Sequence, residues 1–387
     1  MVVAAAGGAA SCTGTATRHG PPAHVRVTAR TRVPAPATSV LAGAPDVVAG
    51  GVASRLFASA PVVVVASPGG PAGLAAAARS ALRAHAPLLL TAGPAAPAAR
   101  TVSGRPARPA AVVSAMLRAQ IRTLDPRAVL AAGMARDALA SRLPGIRVVT
   151  DPAMLPATTA PPPLGHLALL VRSGSRDAGT LAAVTTARVA GARVIAVRGA
   201  DPRADPAAIA ALSAARPRQV LAIGAGFGPP GQLAARIAVA QTGVQLPGGG
   251  QILFPGRLLV ALYGHPGAPA LGALGQQGLQ ASIARARHAA AAYRPLSRVP
   301  VIPAFEIIAT VAQARPGRDG DYSYPSTVAS LRPWVRRAAA AGMYVILDLQ
   351  PGRASLLAQA RRYQPLLELP GVGLALDPEW KLTPGQR

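Results

Sequence analysis

Apolar runs alternate with Ala/Leu-rich periodic stretches through the middle of the chain. Val62–Ala66 is an unbroken β-branched run, which suits a strand buried on both faces. Ser67–Gly73 is a Gly/Pro loop, and Leu74–His85 has the texture of a helix. Pro87–Thr91, Ala128–Ala132 and Arg147–Thr150 read as further strands, with helices over Pro109–Thr123 and Ala135–Leu143. Strands alternating with helices predict a parallel sheet covered by helices, so the expected class is α/β. Residues 1–45 are rich in Ala, Pro, Thr and Arg without sustained periodicity and read as a leader and linker.

After a Pro-rich stretch over 152–165 the pattern returns. Val65-Ala66-Ser67 corresponds to Val171-Arg172-Ser173, Ala72-Gly73 to Ala178-Gly179, and Ala86–Thr91 to Ala192–Val197, all at an offset of 106 residues. Val129–Gly133 matches Val220–Gly224 at an offset of 91. A sustained offset with one deletion is what a duplicated module leaves behind. The expected modules are 46–151 and 166–246. Strand, loop, Asp-Ala, helix, A-P-L-L-L-T, helix and V-L-x-x-G together resemble the bacterial cell-wall-binding repeat of the second type. Asp177-Ala178, Ala86–Thr91 and Val220–Gly226 carry the resemblance, while Pro71 stands where the first module would have its Asp. The resemblance implies two flavodoxin-like modules that hold envelope proteins to anionic wall polymer, without catalysis. Such repeats work in threes, so a third module from another chain is an expected associate.

From Gln251 onward Tyr, Trp and Glu enter, and strands alternate with longer helices. Leu258–His265, Val299–Thr310, Met343–Gln350 and Val372–Trp380 read as strands, the second interrupted by Pro303. Leu279–Tyr293, Thr327–Ala341 and Ser355–Leu367 read as helices. This is the first half of a (β/α)₈ barrel by pattern. A full barrel needs about 250 residues, so residues 251–387 are expected to be a fragment or a half barrel.

Residues two apart on a strand share a face. That rule lines up Ala261, Tyr263 and His265. It also lines up Tyr344, Ile346, Asp348 and Gln350, and Gly373, Ala375, Asp377 and Glu379. Each strand then carries a polar group near its C-terminal end, where barrel active sites form. Cleaving a glycosidic bond needs a proton donor and a carboxylate. The candidate catalytic residues are Glu379 as donor, Asp377 as its ionised partner, Asp348 and Glu306. Tyr263, His265, Gln350 and Trp380 are the candidate sugar contacts. Strand-end acids also cap helices and pin loops, so a purely structural role stands beside this one. The D-x-E strand end resembles several polysaccharide-hydrolase barrels, lysozyme-like muramidases among them. Residues 263–380 also resemble an uncharacterised actinobacterial envelope domain found beside such repeats.

Composition narrows the partners. Of 387 residues, 40 are Lys or Arg and 14 Asp or Glu, a net charge of +26, and Lys381 is the single lysine. A very GC-rich coding sequence produces such an Arg/Ala/Gly/Pro bias, yet the resulting surface attracts polyanions whatever its origin. Nucleic acid is not the expected partner, because the arginines are scattered and residues 46–246 offer only Phe57 and Phe227 for stacking. Gly226–Gly231 fits G-x-G-x-x-G, but it carries two prolines and no acid follows at the required distance. No nucleotide or other cofactor is therefore expected. Cys12 is the lone cysteine, which rules out an intrachain disulfide and a cysteine-based metal site. The stretch Ala9–Gly14 has the small residues of a lipoprotein cleavage site, without the usual preceding Leu or a basic start. It reads either as the end of a signal sequence, with Cys12 lipidated, or as an ordinary Ala/Gly-rich segment. The expected location is the cell envelope or the exterior.

Overall fold

A computed structural model describes residues 26–92 and 113–386. Cys12 and the Ala9–Gly14 stretch lie outside the described residues. The chain is α/β. The first described elements are the short strands β1 (Val27–Thr28) and β2 (Arg30–Thr31), then β3 (Thr38–Leu41) and helix α1 (Pro45–Leu56). The first module follows: β4 (Phe57–Ser59), β5 (Val62–Ala66), α2 (Pro71–Arg83), β6 (Leu88–Leu90), α3 (Ala115–Leu124), β7 (Ala128–Ala132), α4 (Arg136–Ala140) and β8 (Arg147–Val149). Its sheet runs β6-β5-β7-β8, all parallel, with β5 wholly buried as its Val run requires.

A short β9 (Thr158–Thr159) pairs with β1 and leads into the second module. There β10 (Leu167–Arg172), α5 (Ala178–Val189), β11 (Arg193–Val197), α6 (Pro206–Ala215), β12 (Gln219–Ile223) and α7 (Pro230–Ala240) repeat the strand–helix order. The sheet is β11-β10-β12-β3, again parallel. Asp177 fits its helix-start position, since its carboxylate accepts from the Thr180 N–H at 2.8 Å.

One expectation is corrected here. Residues up to 45 read as leader and linker, yet Thr38–Leu41 is the fourth strand of the second module's sheet. Ala37 C=O accepts from Val220 N–H at 2.7 Å, and Leu41 C=O from Gly224 N–H at 2.7 Å. The segment hides from local reading because four residues are too few to show a period. Its partner also lies about 180 positions away in sequence. The two modules therefore interlock. One apolar core holds Val52 and Leu56 of α1, Val63 and Val65 of β5, Leu169 of β10 and Leu221 of β12 together.

The third segment contains β13 (Leu258–Gly264), α8 (Leu279–Tyr293), β14 (Val301–Ala312), β15 (Ser323–Pro325), α9 (Val328–Ala340), β16 (Tyr344–Leu349), α10 (Leu356–Arg362), α11 (Gln364–Leu367) and β17 (Val372–Leu376). Strands 13, 14, 16 and 17 are parallel and adjacent in chain order, and β15 pairs antiparallel with β14. Pro303 does not interrupt β14, which runs through it. The helices cover one face through Phe305, Ile307, Val345, Leu347, Leu331 and Val335. The other face packs Ile302, Ala304 and Tyr344 against Leu246 and Leu253 near the strand starts. Towards the strand ends of β13 that face is open, with Ala261 and Tyr263 exposed.

Tyr363, fully buried between α10 and α11, ties this layer together. Its hydroxyl donates to the carbonyls of Ala309 at 2.7 Å and Ser326 at 2.8 Å. Burial pushes its ionisation well above the ordinary value. Tyr363→Phe leaves two buried carbonyls without this donor. The expected cost is about 1–3 kcal/mol, read as a lower melting temperature with unchanged far-UV circular dichroism.

Candidate functional site

The register of the parallel ladder decides which polar groups meet. Tyr263 on β13 is opposite Glu306 on β14, Ile308 is opposite Asp348 on β16, and Asp348 is opposite Ala375 on β17. Tyr263, Glu306 and Asp348 therefore share the face away from the helices. Asp377 joins them. Its N–H donates to Leu349 C=O at 3.0 Å, one rung beyond the end of β17.

Gln350 is the buried brace of this cluster. Its side-chain oxygen accepts from Ala312 N–H at 2.9 Å, and its amide donates to the Tyr263 hydroxyl at 3.4 Å. The same amide supports the Asp377 carboxylate. Behind it, Ser323 donates to Gln350 C=O at 2.8 Å, and Gln359 donates to Ser323 at 3.0 Å. Thr310, Ser323 and Gln359 were not legible as site residues, because their spacing in sequence carries no motif.

Asp348 is 1% exposed, and neither carboxyl oxygen finds a donor among the described residues. Two facing carboxylates have nothing to donate to each other; one shared proton turns the contact into a hydrogen bond. Burial is the main cause that pushes Asp348 up to about 7, and the charge of Asp377 and a hydrogen bond to it come next. Glu306 and Glu379 add smaller pushes. Asp377 is also raised, first by burial and then by Glu379, against the lowering hydrogen bonds of Asp348 and Gln350. Glu306 is raised by burial and then by Asp377. Burial raises Tyr263, and Asp348, Asp377 and Glu306 push it further. Such a cluster holds a proton at neutral pH as a group rather than at one atom.

Three expectations about the site change. Glu379 does not share a strand face with Asp377, because β17 ends at Leu376 and Pro378–Trp380 is a 3₁₀ turn. Pro378 fixes φ and removes an N–H, so the strand cannot run on. Glu379 and Trp380 are exposed on that turn. Asp348, not Glu379, is the buried acid of the cluster, and burial is the main cause that raises its pKa. His265 does not line up with Tyr263. Gly264 between them has φ +139°, and a Cβ there would sit 2.9 Å from Leu271 C=O, so the chain turns tightly at glycine.

His265 instead lines a separate open pocket of about 320 Å³ with Pro266, Ser326, Ser330, Leu331 and Trp334. Its Nε2 is 2.9 Å from the Ser326 hydroxyl. Burial is the main cause that lowers its pKa from the ordinary 6.5. Trp334 and Ser330 lie in the stretch Thr327–Ala341 that reads as a helix and Ser326 just before it, and none of the three belongs to a motif. Among the described residues no group of three or more His, Cys, Asp or Glu side chains is placed to hold a metal ion. No described helix is long and apolar enough to cross a membrane.

No protein-family model matches the chain, and no curated protein matches it. Among solved structures it is similar to Cwp8 from Clostridium difficile, with 14% identity, a TM-score of 0.22 and coverage of 88% of this chain. The chain spans about half of that structure's length, 49% of it, and a likeness so loose carries no argument about fold or chemistry.

Proposed function

We propose that the protein belongs to the cell envelope, binds anionic wall polymer through its interlocked α/β modules, and presents carbohydrate with a carboxyl site at the strand ends of its third segment. Unneutralised arginine supports the first part. Among the described residues, salt bridges engage only Arg136, Arg198, Arg203 and Arg236. Arg79, Arg83, Arg122, Arg176, Arg193 and Arg218 are exposed guanidinium groups on the modules. Their attraction to a polyanion is long-ranged and screened by salt.

The full chain is expected to sediment with purified Gram-positive walls at low salt. Raising salt to about 1 M shortens the screening length to roughly 3 Å and should release it, as should stripping the acidic polymer. Equal retention on stripped walls in high salt would sink the electrostatic reading. Association with a third module and lipidation at Cys12 are further parts of the proposal. Incorporation of a labelled lipid precursor, lost in Cys12→Ser, tests the latter.

A second reading, hydrolysis of wall polysaccharide, is favoured by one observation: the buried Asp348 behind the half-buried Asp377. Asp377 is the member that reaches a substrate, and Asp348 supplies and shares its proton. In this reading Asp377 protonates the glycosidic oxygen as the bond to the anomeric carbon breaks. Glu379 supplies the second carboxylate, Glu306 and Tyr263 line the face, and Trp380 offers its indole to a sugar ring.

A further inference from the structure

We propose that the pocket at His265 and Trp334 is a site for an uncharged hexopyranose ring, distinct from the carboxyl cluster. The inference rests on the carbohydrate reading above and names what this second pocket takes. Its volume of about 320 Å³ suits one ring rather than a polymer segment. Trp334 supplies an apolar wall. Phe305 backs it, with ring centroids 5.9 Å apart at 57°, so the indole is held in place without help from a ligand.

Polar groups stand around that wall. Ser326 and His265 are paired at 2.9 Å, and Ser330 donates to Thr327 C=O at 2.8 Å. A hydroxyl has one donor and two acceptor sites, so both serines keep capacity for a ligand hydroxyl. The imidazole stays neutral near pH 7, because burial disfavours its charged form. No Arg, Lys, Asp or Glu lines the pocket, in a chain of net charge +26. An apolar platform ringed by neutral hydrogen-bonding groups selects a neutral polyol over an anion. The modules, with their exposed arginines, have the opposite preference.

The turn at Gly264 separates the two sites. Tyr263 faces the carboxyl cluster, and His265, two residues on, faces this pocket because the chain turns at Gly264. The pocket therefore lies on the helix side of the sheet, where Trp334 packs on Phe305, and the carboxyl groups occupy the other face.

The chain holds two tryptophans, so Trp380→Phe leaves Trp334 as the single indole N–H signal. That signal is expected to shift saturably on titration with N-acetylglucosamine, with a Kd in the millimolar range (about −4 kcal/mol at 1 mM). Glucuronate and inorganic phosphate should leave it in place. Ser326→Ala should weaken the sugar about tenfold, the effect of one lost hydrogen bond. The exposed Ser330→Ala provides the same test if Ser326→Ala does not fold. No shift at about 50 mM sugar, far above the expected Kd, overturns the proposal, as does an equal shift with glucuronate. Reducing-end release from wall glycan without any Trp334 response would overturn this site alone and leave the hydrolytic reading standing.

Discussion

Asp348→Asn is expected to raise the melting temperature above pH 7 and to flatten its dependence on pH. The physical cause is a carboxyl that folding buries. Its pKa is about 7 in the folded chain against an ordinary value of 3.8. Between those two values the folded state holds a proton that the unfolded state has released. Stability therefore falls as pH rises across that window, and above about 7 the whole penalty is present. Asparagine keeps the shape and never ionises. The gain at pH 8 is on the order of 2–4 kcal/mol, or roughly 5–10 °C for a domain of this size. The lower figure applies if Asp377 and Glu306 take up part of the proton. Thermal melts at pH 4.5 and pH 8 check this: wild type and variant should converge at the lower pH and separate at the higher. Equal melting at both would show that Asp348 is solvated. The same variant tests the chemistry. If the carboxyl pair donates a proton to a glycosidic oxygen, Asp348→Asn and Asp377→Asn should each cut reducing-end release by about 10²-fold or more. A binding-only site would leave wall sedimentation intact and show no release in the wild type.

A fragment of residues 46–246, cut where the sequence places the start of the first module, is expected to misbehave, whereas 26–246 folds. The shorter piece lacks β3 and so leaves β12 as an open edge. It loses the ladder that joins Val220–Ile223 to Thr38–Leu41. Ile223, buried in the core shared by the two modules, loses its neighbouring strand. An unpaired edge beside an apolar face templates aggregation. The shorter fragment should elute from size exclusion as a broad aggregate, or melt about 4–8 °C or more below the longer one, since the loss of this half-buried, fully paired strand is expected to cost about 2 kcal/mol or more. Equal monomeric behaviour of the two would mean that β3 is an ornament of the second sheet rather than part of it.

Much of the architecture was legible in the chain because its signals are local. Val62–Ala66 can hardly be other than a doubly buried strand, and the repeated strand–helix order from 62 to 240 dictates parallel sheets. The four strands of the third segment lie where the apolar alternation puts them, with Tyr344, Ile346, Asp348 and Gln350 on one side. Asp377 stands just past the end of β17, where its N–H still bonds Leu349 C=O. Alternation failed one residue later at Pro378, and at Gly264, where a single backbone angle ends the alternation that period-two counting assumes.

The sequence by itself determined the α/β class, the recurring strand–helix order, the net positive charge and the acids near the strand ends, because each depends on residue type and short spacing. Tertiary structure alone decided three things. It took Thr38–Leu41 across to β12, a pairing between segments about 180 residues apart that no local period encodes. It buried Asp348 and left Glu379 exposed, because burial depends on what packs around a carboxyl. It separated His265 from Tyr263 and set it beside Ser326 and Trp334, 61 or more residues away in sequence. A pocket is made by surfaces that meet only when the chain is folded.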